Sequence, residues 1–250
     1  MTSDRQFEKI EILAIIPARG GSKGIPRKNL LKFFDHSLVG WAAKTASESK
    51  FISKSLVSTD DQEIADEARE FGAVFLGPRP NDLSSDMSTD QPVLKYELET
   101  AEQRFRTSFR VIVMLQPTSP LRTAEDIDRC IQKLIDERAS AVWTVSPVPL
   151  HFHYKKQFVM SDTGEIKTAH SGPEVIRRQD LKASYRRNGV AYALTREVVV
   201  NDPKLRGKKC IGLTLDHPTA NIDSMEDFEH AKSFVKISDG KIRFIEGGDR

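Results

Sequence analysis

Apolar and polar positions along the 250-residue chain change period repeatedly, and each change marks an element. The first pattern is an unbroken apolar run, Ile12-Leu13-Ala14-Ile15-Ile16, closed by Pro17, which predicts a strand buried on both faces. Leu38, Trp41, Ala42, Thr45 and Ala46 follow at helical spacing and predict an amphipathic helix over 37–49. Residues 54–60 read as a short strand, 64–71 as a helix stopped by Gly72, and 73–76 as a third strand. This β-α-β-α-β alternation predicts an α/β fold with a parallel sheet and right-handed crossovers.

Downstream, residues 91–105 read as a long helix and 110–115 as an apolar central strand. Thr123 is placed to cap a helix reaching 137, with Asp126 as the capping-box acid, and 141–145 reads as another strand. From Pro147 the character changes. HFHYKKQFVMSDTGEI has paired aromatics and a turn at 162–164, so it reads as an inserted β-hairpin. His151 and His153 alternate with Phe152, which on a strand puts both on one face, read as solvent-facing. Residues 186–194 read as a return strand with a bulge at Asn188-Gly189, 210–215 as a further strand, and 225–235 as a helix capped by Ser224. One domain is expected over 11–236, with an insertion at 147–183 and loose ends at 1–10 and 237–250.

The stretch after the first strand changes the picture from architecture to chemistry. It carries Gly20, Gly21 and Gly24 beside Arg19, Lys23, Arg27 and Lys28. Glycines let backbone N–H groups approach an anion and the cations neutralise it, so this loop is read as a phosphate site. It matches neither a Walker loop nor GxGxxG. Residues 77–86, with two prolines, are expected to form an irregular loop. Asp60, at the end of the second strand, is either a helix cap or a secondary site residue. The formal net charge of +2 suits a small anionic substrate better than nucleic acid. No apolar run approaches the ~20 residues of a membrane span, and the start has no signal-peptide core, so a cytoplasmic protein is expected. Cys130 and Cys210 lack ligand spacing and read as buried small hydrophobes.

Two stretches, AIIPARGGSKGIPRKN and LQPTSPLR, followed by RRNGVAY at 186–192, resemble the acylneuraminate cytidylyltransferases over roughly residues 11–236. The resemblance implies a Rossmann-like, mostly parallel central sheet flanked by helices, of the nucleotide-diphospho-sugar transferase type. Residues 147–183 would then be a small inserted β dimerisation element, and the protein a homodimer. The implied reaction transfers CMP from CTP to the anomeric hydroxyl of a sialic-acid-like nonulosonic acid, releasing pyrophosphate with Mg2+, or with Mn2+ in its place.

On that resemblance Arg19, Ser22, Lys23 and Lys28 hold the triphosphate, with Arg19 nearest the scissile bond, while Asn29 and Arg79 face the cytidine. Gln116, Ser119 and Asn188 hold the sugar, Lys155 and Arg178 its carboxylate, and Arg122 is a ligand or a structural anchor. Arg177-Arg178 and Arg186-Arg187 are basic pairs able to grip a carboxylate. Where the family has D-I-D for its metal, this chain has Asn221-Ile222-Asp223. Asp223 and the Asn221 carbonyl are therefore the expected ligands, and Arg19, Lys28 and Asp223 the expected catalytic set. The alternatives are a related sugar-acid nucleotidyltransferase with another acceptor or base, and a catalytically impaired nucleotide binder.

Overall fold

The computed structural model describes residues 10–22, 24–85, 87–172, 177, 179 and 181–245. The chain runs through β1 (Ile12–Pro17), the short strands β2 (Lys32–Phe33) and β3 (His36–Ser37), α1 (Leu38–Ser47), β4 (Lys54–Ser58) and α2 (Gln62–Arg69). Next come α3 (Asn81–Ser84), α4 (Asp90–Phe105), β5 (Val111–Met114), α5 (Ala124–Asp136) and β6 (Ala141–Pro147). The hairpin β7 (Phe158–Met160) and β8 (Ile166–Thr168) precedes β9 (Tyr185–Thr195), α6 (Arg196–Asn201) and β10 (Cys210–Thr214). The described chain ends with α7 (Met225–Ser233) and the pair β11 (Val235–Ser238) and β12 (Lys241–Phe244).

Among the described residues the main sheet has six strands in the order β10-β6-β9-β5-β1-β4. β9 runs antiparallel to both neighbours, and the other strands run one way. Alternation along β1 builds the layers. Ile12, Ala14 and Ile16 pack on one side with residues of α1, α2 and α5, while Leu13 and Ile15 pack on the other with α4 and α6. Both faces of the strand are covered, which is why its sequence is apolar without a break. The expected caps are present, Thr123 and Ser224 each closing a capping box, and Ser37 caps α1 by accepting from the Gly40 N–H at 3.0 Å.

Several elements differ from expectation. Residues 73–76 contribute a single parallel bridge, Val74 to Leu56, rather than a strand; Gly77 and Pro78 follow at once. Asn81–Ser84 forms one helical turn inside the proline loop. His151 and His153 do not share a strand face, because short 3-10 turns occupy 150–156; His151 is exposed, but His153 is buried with its Nε2 on the Lys182 carbonyl at 3.0 Å. Cys210 is exposed on the edge strand, whereas Cys130 is fully buried and its thiol is pushed up to about 12 by burial. Within the stretch expected as a loose tail over 237–250, residues up to 244 belong to a β-hairpin, whose Ile237, Ile242 and Phe244 pack against the cluster around Trp41, Ile222 and Phe228; 246–250 lie outside the described residues.

That hairpin covers His217, whose ring stacks on Phe244 at 4.4 Å. His217 Nε2 lies 2.9 Å from both Asp126 oxygens and its Nδ1 lies 2.9 Å from the Pro218 carbonyl. With an acceptor at each nitrogen, the imidazolium satisfies both. Burial alone would push His217 down and Asp126 up. Their mutual bond, with the Pro218 carbonyl on one side and Thr123 on the other, leaves His217 raised and Asp126 lowered. The His217 contribution is complete below the ordinary histidine value and fades as pH rises through the raised one; that of Asp126 is lost as pH falls through its lowered one. His217→Gln should therefore cost most stability between about pH 4 and pH 6.5 and progressively less above. Urea melts of both proteins across pH check this, and a pH-independent difference would contradict it.

Candidate active site

A cleft of about 540 Å3 opens where β1, β4 and β5 end, within the usual size range of small-molecule sites. The first loop forms one wall. Gly20 N–H donates to Asp60 Oδ1 at 2.8 Å, tying the loop to the end of β4. Asp61, not Asp60, caps α2, so Asp60 is a loop anchor. Asn29 is buried and its Nδ2 donates to the Arg19 carbonyl at 2.9 Å. Arg19, Ser22, Lys28, Asn29 and Arg79 all line the cleft. Arg27 does not. Its backbone is left-handed (φ 52°) and its guanidinium turns to Glu63 and Asp61 of the α2 N-terminus, at 2.8 and 3.3 Å. Lys23 and Arg178 lie outside the described residues.

Lys28 crosses to the opposite wall. Its Nζ donates to Asp223 Oδ1 at 2.9 Å and to the Ile222 carbonyl at 2.8 Å. The two walls nearly touch at Gly24, where a Cβ would lie 2.4 Å from the Asp223 carbonyl oxygen. Any larger residue there must push the loop and the Asp223 segment apart. Ile222 is fully buried and its N–H donates to the Thr118 carbonyl at 2.8 Å, so the side chains of Asn221 and Asp223 are left facing away from the core.

Asn221, expected as a metal ligand, is engaged by its neighbours at both ends of its amide. Its Oδ1 accepts from the Thr118 hydroxyl at 2.7 Å, and its Nδ2 donates to Asp223 Oδ2 at 2.6 Å. Exchanging the amide atoms would set two oxygens in contact, so the amide offers Asp223 a donor. Of the two expected ligands, Asp223 brings a carboxylate with spare lone pairs. That fits Mg2+, which takes one or two carboxylates and completes its shell with substrate phosphates and water.

The third wall follows β5. Gln116 lines the cleft, but Ser119 and Asn188 stand behind it. Ser119 is fully buried and donates to the Asn188 carbonyl at 2.9 Å; the Asn188 side chain bonds Ser146 Oγ and the Val190 N–H, each at 3.2 Å. Both residues therefore brace the wall rather than line it. Arg122 is an anchor: it is buried and donates to the carbonyls of Gln116 (2.6 Å), Gly189 (3.1 Å) and Val190. Gly189 has φ +78°, and a Cβ there would meet Ser119 Oγ at 2.5 Å and Gln116 Oε1 at 2.7 Å. Lys155 sits in the inserted excursion and does not line the cleft.

Sequence reasoning missed three residues. Glu97 is buried on the apolar face of α4, and burial raises its carboxyl while the Arg79 charge opposes that. A charge in the row Val93, Leu94, Glu97, Leu98, Ala101 was the available signal. Arg79 is itself lowered mainly by burial, against the pull of Asp60 and Glu97. Asp90 lines the cleft from the first turn of α4, raised by burial and opposed by Arg187, which lies over the Trp143 and Tyr192 rings. Thr118, bonded to Asn221, gave no signal beyond its place in LQPTSPLR.

The family model described as cytidylyltransferase matches residues 13–247. The chain belongs to the cytidylyltransferase family. It is similar, at 28% identity over 227 residues, to the post-translational flagellin modification protein B of Campylobacter coli, covering 90% of this chain and 95% of that protein. A CMP-N,N'-diacetyllegionaminic acid synthase of Campylobacter jejuni is 28% identical over 234 residues, 91% of this chain and 96% of that one. Among solved structures, a CMP:2-keto-3-deoxy-manno-octonic acid synthetase complexed with CTP superposes with a TM-score of 0.65 at 15% identity, covering 89% and 97% of the two chains, a likeness of fold. Cytidylyltransferases generally use a divalent metal. In this cytidylyltransferase, Gly24→Ala should lower kcat by about 100-fold, since a shift near 1 Å is enough to misplace reacting groups. Steady-state kinetics beside a melting curve separates that loss from unfolding, and wild-type turnover in a folded variant would contradict it.

Proposed function

We propose that this enzyme transfers CMP from CTP to the anomeric hydroxyl of a nonulosonic acid. The observation that carries the reading is the meeting of Arg19, Ser22, Lys28, Asn29 and Arg79 with Gln116 and Asp223 around one cleft. The pseudaminic and N,N'-diacetyllegionaminic acids in the names of relatives that match about nine-tenths of the chain support this class of acceptor. Arg19, Ser22, Lys23 and Lys28 hold the triphosphate, and Asn29 and Arg79 face the cytidine. Gln116 orients the sugar, with Lys155 and Arg178 directed to its carboxylate and Ser119 and Asn188 supporting the wall.

The sugar oxygen attacks the α-phosphorus in line. A new oxygen–phosphorus bond forms as the bond to the β-phosphate bridging oxygen breaks, and pyrophosphate leaves. Arg19 and Lys28 neutralise charge as it moves onto the leaving group, and the hydroxyl proton passes toward Asp223. Asp223 would also hold Mg2+, or Mn2+ in its place, which supplies further positive charge at the phosphates. The setting is the cytoplasm, in keeping with two free cysteines; among the described residues no helix is long and apolar enough to cross a membrane.

The same reading includes a homodimer formed through the insertion. Phe158, Val159, Met160 and Ile166 on the β7–β8 hairpin are 53–73% exposed, an apolar surface that a second copy would cover. Replacing Phe158 and Met160 together by Glu should halve the mass seen by light scattering, and an unchanged dimer would place the interface elsewhere.

The reaction is tested by pyrophosphate release from CTP against a panel of nonulosonic acids and an eight-carbon keto sugar acid. Release with a nine-carbon acid, reduced about 100-fold or more in kcat by Asp223→Ala, is the expected result. Preference for the eight-carbon acid would change the acceptor, and no release with any acceptor would leave a nucleotide binder.

A further inference from the structure

We propose that Asn221 is a positioning residue: it holds the Asp223 carboxylate in place for the reaction rather than ligating the metal itself. The proposal rests on the cytidylyltransferase reading of the cleft. Its ground is a directed chain of hydrogen bonds across the site. The Thr118 hydroxyl donates to Asn221 Oδ1 at 2.7 Å, and Asn221 Nδ2 donates to Asp223 Oδ2 at 2.6 Å. Lys28 Nζ then donates to the other carboxylate oxygen, Oδ1, at 2.9 Å.

Each Asp223 oxygen therefore has one fixed donor and keeps lone pairs for another contact. The side chain is otherwise little restrained, being 68% exposed, so these two donors set its orientation. Asn221 suits this role because both ends of its amide are committed in opposite senses. Thr118, on the wall after β5, gives to its oxygen, and that polarises the N–H aimed at Asp223. The Ile222 N–H on the Thr118 carbonyl, at 2.8 Å, holds the backbone of the same segment. A carboxylate at 221 would instead face Asp223 acceptor to acceptor, an arrangement that needs a shared cation or proton to be stable.

Asn221→Ala and Thr118→Val test the proposal from two ends, with Asp223→Ala for comparison. Mn2+ binding to the enzyme–CTP complex, followed by the loss of the free-ion EPR signal without sugar, reads metal affinity independently of turnover. Removing a bond to a charged group should lower kcat by about 10- to 100-fold in Asn221→Ala, and about 3- to 10-fold in Thr118→Val. In both, the Mn2+ dissociation constant and the KM for CTP should stay within about threefold of wild type, while Asp223→Ala weakens Mn2+ by more than about tenfold. Asn221→Ala weakening Mn2+ as much as Asp223→Ala does would overturn the proposal, as would wild-type kcat in a folded Thr118→Val. A wild-type protein silent toward every acceptor would remove the functional reading itself. The Mn2+ titrations need no turnover, and would still overturn the positioning role if Asn221→Ala matched Asp223→Ala.

Discussion

Arg122 sits fully buried, and the bonds its guanidinium makes run to the backbone carbonyls of Gln116, Gly189 and Val190. Burial pushes its pKa down to about 10, with the nearby Asp126 charge opposing, so it remains a cation at neutral pH. The bonds from its Nε and Nη2 offset part of the cost of burying the charge, and a planar fork spreads them over three carbonyls. What it joins is the loop after β5 and the bulge of β9, where pairing with β6 shifts register between Trp143 and Val145. Gly189 allows the two to close, and its N–H is taken up by the Tyr192 hydroxyl at 2.8 Å.

From that junction the rest of the cleft is hung. Thr118, in the same loop, holds Ile222 by its carbonyl and Asn221 by its hydroxyl, and so sets where Asp223 stands. The first loop is pinned at Gly20 by Asp60, and at Gly24 it comes so close to the Asp223 carbonyl that no Cβ would fit. Lys28 links the two systems. Its ammonium lies where the walls meet, bonded to the Asp223 carboxylate and the Ile222 carbonyl.

The second side of the Asp223 segment is held by charge. His217 joins it to the N-terminal capping box of α5 through Asp126, and Phe244 of the last hairpin stacks on the imidazole. The residues beyond α7 therefore belong to the support of the site, although they are far from the cleft in sequence and polar in composition.

The sequence by itself determined most strands and helices of the main sheet and its two faces, because these rest on local physics; the bridge at Val74, the turns at 150–156 and the last hairpin did not show in it. Alternation and unbroken apolar runs select strands, and capping residues start α1, α5 and α7. It also carried enough of the two long motifs to indicate the family. Only the tertiary structure decided which side chains reach the cleft. Arg27 and Lys28 are neighbours with the same charge, yet one turns to α2 and the other meets Asp223, 195 residues away. Ser119 and Asn188 were read as facing substrate, but they bond across 69 residues to brace the wall. The Asn221 oxygen, expected to address a metal, is bonded to the hydroxyl of Thr118, 103 residues before it. Such outcomes depend on contacts between segments that no local pattern encodes: spacing along the chain fixes which face a residue occupies, and the fold chooses what stands opposite.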